Sequence, residues 1–284
     1  MKNFGIFVNP QIVYQQKIFA LLKEFHKKEG INFYRFEQQK DFVPDYFWDT
    51  SKDSASHLDY ILVFGGDGTI LRAMNFSIKS QAPLLGINLG KLGFLSESNL
   101  KDLKRSISDL CAGKFKIQSR MLLQTTIKRQ AKTIFSSVVL NDAVIYRGEV
   151  SRLIDIRYYC NERFVMETRC DGIIISSPTG STAYNLAAGG PIISPLMDAM
   201  VVTPLNPHVL TVRPIVFAAK DKLRFRVVHT EGNSILHLDG NNSHNLEKDD
   251  EIIIKAASQK VDFIKLSNKT FFSILRKKFH LGKK

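Results

Sequence analysis

Gly65, Gly66, Asp67, Gly68 and Thr69 constrain this chain more than any other stretch. They follow Tyr60, Ile61, Leu62, Val63 and Phe64, a short apolar run rich in β-formers that reads as a buried strand. A helical pattern over 70–79 comes next. The five residues therefore form a strand-to-helix turn with three glycines and one carboxylate. Glycine lets a ligand come close to the main chain. A helix N-terminus presents free N–H groups that favour anions, so phosphate is the natural guest. A carboxylate there repels phosphate unless it has a task. Two tasks fit Asp67: holding a metal, or taking a proton from a hydroxyl that attacks the phosphate. A β-turn in which Asp67 merely caps the helix is the other reading.

The surrounding pattern sets the fold class. Residues 4–8 read as a first buried strand. Tyr14, Ile18, Leu21, Leu22 and Phe25 recur at helical spacing and predict an amphipathic helix closing at Gly30. Residues 31–36 read as a second strand, 84–87 as a fourth, and 100–110 as a helix ended by Gly113. Residues 37–59 show no clear pattern. Alternating strands and helices predict an α/β N-terminal domain with a mostly parallel sheet covered by helices, over 1–115. Ligands of such sheets sit at the carboxyl ends of strands, where the glycine loop lies. Beyond 115 the pattern changes to short alternating runs at 122–127, 134–145, 153–159, 172–176, 223–228, 235–238 and 252–254. Those predict an all-β, β-sandwich-like C-terminal domain over 116–267. Two helical patterns interrupt it, at 181–188 and 271–279. The second lies in an expected C-terminal helix, 268–284, that joins the first domain.

Composition narrows the function. The net charge is +13, from 40 Lys and Arg against 27 Asp and Glu. Such an excess suits nucleic acid, an anionic membrane or a small polyanionic substrate. It is spread along the chain, and the one dense run, Arg276, Lys277 and Lys278 with Lys283 and Lys284, reads as a solvated tail or helix face. No nucleic-acid-binding signature accompanies it, and no apolar run is long enough to span a membrane. The expectation is a protein that binds neither nucleic acid nor membrane. Cys111, Cys160 and Cys170 form no CxxC pair, which suits the reducing cytoplasm.

Three further constellations carry chemistry. Residues 88–95 hold Asn88, Gly90, Gly93 and Phe94 just after a strand. They line a pocket whose Phe94 stacks on a base, or they form a turn whose Phe94 is core. Leu140, Asn141 and Asp142 interrupt an apolar stretch; the polar pair binds ribose hydroxyls, or marks a bulge or turn between two short strands. Residues 171–191 run from a strand into Pro178, Thr179, Gly180, Ser181 and Thr182, then a small-residue helix. Their hydroxyls and N–H groups serve a ligand, or cap the helix at Ser181. There is no Walker A sequence, no G-x-G-x-x-G after a strand, no G-x-S-x-G elbow and no His-x-Glu zinc motif.

Taken in this order, the four motifs resemble the NAD kinase family from the first strand to about Asp239 and Gly240. The glycine motif alone is shared with 6-phosphofructokinases and with diacylglycerol and sphingosine kinases; the long 171–191 motif is specific. The resemblance implies transfer of the γ-phosphoryl of ATP to the 2′-hydroxyl of the adenosine ribose of NAD, giving NADP, with Mg²⁺ as the expected divalent metal. It implies Asp67 as the general base, and Gly65, Gly66, Gly68 and Thr69 around the phosphates. It implies NAD contacts from Asp67, Gly68, Phe94, Asn141, Asp142, Arg169, Asp171, Thr179, Thr182, Ala183 and Tyr184. It also implies a cytoplasmic homodimer or homotetramer. Many family members carry Glu where this chain has Asp142, so its carboxylate is drawn back by one methylene. A lipid or sugar kinase with the same glycine loop, or an inactive NAD-binding sensor, are the competing expectations.

Overall fold

We obtained a computed structural model of the chain that describes residues 2–12, 15–49, 58–90, 93–148, 152–230, 232–280 and 282. Tyr14, Lys91, Leu92, Lys283 and Lys284 lie outside the described residues. The chain divides into two compact units, residues 1–119 with 261–284, and residues 120–260.

The first unit begins with β1 (Asn3–Val8), α1 (Gln15–Glu29), β2 (Asn32–Arg35), β3 (Trp48–Asp49) and β4 (Tyr60–Phe64). It continues with α2 (Asp67–Ser80), β5 (Leu84–Asn88), β6 (Ser98–Asn99) and α3 (Leu103–Cys111). The strands run in the order β5-β4-β1-β2-β3, all parallel. Every residue of β4 and β5 is buried. A parallel strand covered on both faces requires such a continuous apolar run, which is why 60–64 shows no alternation. Ile18, Phe19 and Leu22 of α1 and Leu103, Ile107 and Leu110 of α3 fill the core beside Phe4, Ile6, Leu62 and Phe64. The unpatterned 37–59 region holds a 3₁₀ turn at Glu37–Gln39 and the two-residue β3. Gln39 is buried because its Oε1 accepts the Val8 N–H at 2.8 Å.

The second unit is built from β7 (Lys116–Arg129), β8 (Lys132–Val139), β9 (Asp142–Arg147), β10 (Ile154–Cys160), β11 (Arg163–Cys170) and β12 (Gly172–Ser176). The one-turn α4 (Tyr184–Ala187) precedes β13 (Ala199–Leu205), β14 (Ile215–Ala218), β15 (Leu223–His229), β16 (Ser234–Leu238), β17 (Asn242–Leu246) and β18 (Glu251–Lys265). One layer is antiparallel, in the order β14-β13-β12-β9-β16-β17. The other contains β11-β10-β15-β18, with β7 and β8 alongside. Their inner faces share one core, including Leu123, Ile145, Ile156, Ile173, Val202, Phe225, Leu236 and Ile254. This is the expected sandwich.

Several strands had no forecast of their own: β11, β13, β14 and β17. The apolar stretch 134–145 is two strands, because the chain turns at Leu140 and Asn141 and Asp142 opens β9. The tight hairpins use paired positive-φ residues, Gln130 with Ala131, Asn161 with Glu162, and Asp239 with Gly240. That geometry matches the twist of the flanking strands. The expected helix over 181–188 is a 3₁₀ turn, Gly180–Thr182, broken from α4 at Ala183. Finally, the end of β18 returns to the first unit, where Phe263 pairs in parallel with Leu84. Helix α5 (Phe271–Phe279) follows, capped by the Thr270 hydroxyl, which accepts the Ser273 N–H.

Candidate active site

In the first unit, the glycine loop leaves β4 and enters α2. Gly66 is the N-cap, so Asp67 does not cap the helix. Its carboxylate is held from outside the helix. Oδ2 accepts the Phe94 N–H at 2.8 Å and Oδ1 accepts the Leu95 N–H at 3.1 Å. Gly93 makes this approach possible, since a Cβ there would lie 2.0 Å from Asp67 Oδ1. A similar close fit holds Gly65 against Thr69, whose Oγ1 would lie 2.3 Å from an added Cβ. Gly66 and Gly68 are exposed with open space where a Cβ would go, so their main chain is accessible to an anion. The Phe94 ring packs against α5: Phe271 and Phe279 stand 6.1 and 5.8 Å away, centroid to centroid, and Lys278 Nζ is 4.4 Å from the ring centre.

In the second unit a cavity of about 440 Å³ is lined by Asn141, Asp142, Val144, Tyr146, Ala183, Tyr184, His237, Asp239 and Gly240. Four of the residues singled out from sequence thus meet on one wall: Asn141, Asp142, Ala183 and Tyr184. The two motifs that carry them are stitched together. The Ser177 N–H donates to the Asn141 carbonyl at 2.8 Å, and the Ser177 hydroxyl donates to the Leu140 carbonyl. Gly180 lies so close to the Asn141 carbonyl oxygen that a Cβ would be 2.2 Å from it. Asp142 is buried, and burial, then the charge of Asp239, pushes its carboxyl up to about 7.

Known proteins are similar to this sequence. Residues 5–115 match the ATP-NAD kinase N-terminal domain and residues 140–266 the ATP-NAD kinase C-terminal domain. The NAD kinase of Desulforamulus reducens is 42% identical over 229 residues, 81% of this chain and 80% of its own. That of Lachnoclostridium phytofermentans is 35% identical over 285 residues, 98% of this chain and 99% of its own. The chain belongs to the NAD kinase family. Its fold is also that of yeast NADH kinase complexed with NADH, with a TM-score of 0.85, 24% identity and coverage of 99% of this chain and 87% of that one. The NAD kinase from Archaeoglobus fulgidus in complex with ATP superposes with a TM-score of 0.74, 22% identity and 98% coverage of both chains.

Against this family background, the polar groups of the 171–191 motif divide into two sets. Ser177, Ser181 and Asn185 are fully buried and consumed internally. Ser181 Oγ donates to Pro178 and Ile193 carbonyls and accepts the Ile193 N–H at 3.0 Å. Asn185 donates to the Ser181 and Pro191 carbonyls and accepts the Thr203 hydroxyl at 2.7 Å. The Thr179 hydroxyl is buried with no hydrogen-bond partner among the described residues, Thr182 makes one long bond of 3.5 Å to the Thr179 carbonyl, and Tyr184 is 47% exposed. Asp171 is paired with Arg147 at 2.6 Å and accepts the Asn206 amide at 2.8 Å. Arg169 faces Asp155 at 3.7 Å rather than Asp171. Tyr146, His237 and Asp239 line the cavity without having been singled out. Of these only Asp239 left a signal, the Asp-Gly pair of a tight hairpin.

Proposed function

We propose that this NAD kinase family member transfers the γ-phosphoryl of ATP to the 2′-hydroxyl of the adenosine ribose of NAD, with Asp67 as the general base. The observation that carries the role is the pair of N–H bonds that fix the Asp67 carboxylate at the mouth of the glycine loop. Each oxygen keeps a free acceptor direction for the hydroxyl proton. Removing that proton as attack proceeds contributes roughly 10²–10⁴ in rate. The open main chain at Gly66 and Gly68, with Gly65 and Thr69 shaping the turn, takes the phosphates. Asn141, Asp142, Ala183 and Tyr184 bind NAD in the cavity they line, aided by the hydroxyls of Thr179 and Thr182. Arg169, Asp171 and Phe94 complete the NAD contacts. The carboxylate of Asp142 accepts from ribose hydroxyls when ionised.

Mg²⁺ bound to the ATP phosphates would supply neutralisation of charge on the transferring phosphate. Among the described residues no group of three or more His, Cys, Asp or Glu side chains is arranged to hold a metal. Mg²⁺ commonly binds through substrate phosphates and waters instead. The enzyme works in the cytoplasm as a homodimer or homotetramer. Three free cysteines, Cys111, Cys160 and Cys170, support the compartment. No helix among the described residues is long and apolar enough to cross a membrane.

The test is a coupled assay with NAD, ATP and Mg²⁺, with NADP read by an NADP-specific dehydrogenase. Asp67→Asn is expected to lower kcat about 10²-fold or more while calorimetry shows NAD binding retained. Undiminished turnover in the variant removes Asp67 from the base role. No NADP from the parent enzyme removes the kinase reading.

A further inference from the structure

The turn between β16 and β17 does more than reverse the chain. Asp239 sits at its tip with φ +48°, followed by Gly240 at +66°. Turn chemistry alone accounts for an Asp-Gly pair there. It does not account for what the side chain does. The Asp239 carboxylate accepts three consecutive main-chain N–H groups, from Leu140 at 2.9 Å, Asn141 at 2.7 Å and Asp142 at 3.1 Å. In return the Asp239 N–H donates to the Asp142 carbonyl at 3.0 Å. Four bonds thus tie one turn to the three residues that deliver Asn141 and Asp142 to the cavity. Bonds from N–H groups to a carboxylate are short and about twice as strong as neutral ones.

The placement of charge is informative. Asp239 and Asp142 line the same cavity, and the charge of Asp239 opposes ionisation of Asp142. An apolar or amide side chain at the turn would avoid that conflict. Only a carboxylate, which has acceptors and no donor, can take three N–H groups at once.

We propose that Asp239 is a positioning residue for nucleotide binding: its carboxylate holds the Leu140 to Asp142 main chain in the shape that presents the Asn141 and Asp142 side chains to NAD. The inference rests on the reading that this cavity binds NAD. It assigns Asp239 no contact with reacting atoms.

The test compares Asp239→Asn, Asp239→Ala and Arg129→Ala with the parent in the full chain. In Asp239→Asn the remaining oxygen can still take the Asn141 and Asp142 N–H groups, while the new NH₂ opposes the Leu140 N–H. Arg129 forms a two-pronged bond with buried Asp250, both contacts at 2.9 Å, and pairs with Lys132 at the turn of the β7–β8 hairpin, the end opposite to Leu140. Arg129→Ala therefore weakens the same unit by another route. Two readouts are taken: NAD Kd by calorimetry with steady-state kcat and ATP KM, and amide hydrogen exchange of 140–142 without ligand.

The expected result is an NAD Kd raised about tenfold in Asp239→Asn and more in Asp239→Ala, with kcat and ATP KM within about threefold of the parent. Exchange at 140–142 quickens in both while core amides stay protected. Arg129→Ala lowers Tm without changing NAD Kd. An unchanged NAD Kd in Asp239→Ala, with parental NAD binding intact, overturns the inference alone. So does a rise that merely tracks lost Tm, with Arg129→Ala on the same line. Failure of the parent to bind NAD overturns it together with the reading it rests on.

Discussion

At the scale of single residues, two side chains carry predictions that differ in kind. Gly93 has no side chain because Asp67 occupies its place; an added Cβ would lie 2.0 Å from Oδ1. Gly93→Ala must push the carboxylate off the Phe94 and Leu95 N–H groups. The expected outcome is a kcat loss approaching that of Asp67→Asn with near-parental thermal stability, read by the coupled assay and a melting curve. Asp142 makes a prediction about pH. Its carboxyl is raised from an ordinary 3.8 to about 7, by burial first and by Asp239 second. A folded-state value above the unfolded one means the stabilising contribution is full below about pH 4 and is lost as pH rises through about 7. Between pH 5 and pH 8 the parent is expected to lose about 2–3 kcal/mol more stability than Asp142→Asn in urea titrations. Equal losses in the two proteins would show that Asp142 ionises normally.

At the scale of elements, the segment from β12 to β13 shows how a polar sequence can be mostly scaffold. Asn185 is fully buried and makes three hydrogen bonds, to Ser181, Pro191 and Thr203. Gly190 lies against it, where a Cβ would be 2.4 Å from its amide carbon. Asn185→Ala removes the partner of two carbonyls and of the buried Thr203 hydroxyl. The expected cost is about 2–4 kcal/mol of unfolding free energy, measured by denaturant titration, with kcat per folded molecule retained. The hydroxyl density of 176–182 is legible as chemistry in the sequence, yet density does not say which hydroxyls are free. The stitching of Ser177 to Leu140 and Asn141 joins residues more than 30 positions apart, and no local pattern encodes that. Likewise the helical pattern over 271–279 is that of α5, because a capped helix is written in its own sequence, although residues 268–270 of the expected 268–284 helix are not helical. The three contacts of α5 with Phe94 were not legible there.

At the scale of the whole molecule, the second unit exposes several large apolar side chains: Leu196 at 62%, Met197 at 51%, Val209 at 50%, Leu210 at 85% and Val216 at 50%. Val216 lies on β14, an edge strand of its sheet. Exposed apolar groups of this size suit self-association. Leu210→Glu is expected to shift the protein toward smaller species in light scattering, and a parent that is already monomeric would refute the oligomer. What the sequence by itself determined is the fold class of each half and its strongly patterned elements, β1, α1, β4, β5, α3 and α5 among them. Continuous apolar strands alternating with helices point to a covered parallel sheet, and period-two runs point to a half-buried antiparallel one. The glycine loop at a strand end, and a sandwich after residue 115, follow from periodicity within single windows of the chain. What only the tertiary structure decided is the set of long-range partners of the site's polar groups. Asp67 is held by N–H groups 27 and 28 residues away, and Asn141 by a carboxylate 98 residues away. Such pairings are set by how strands register across the sheet, which depends on all the buried side chains together and on no short stretch alone.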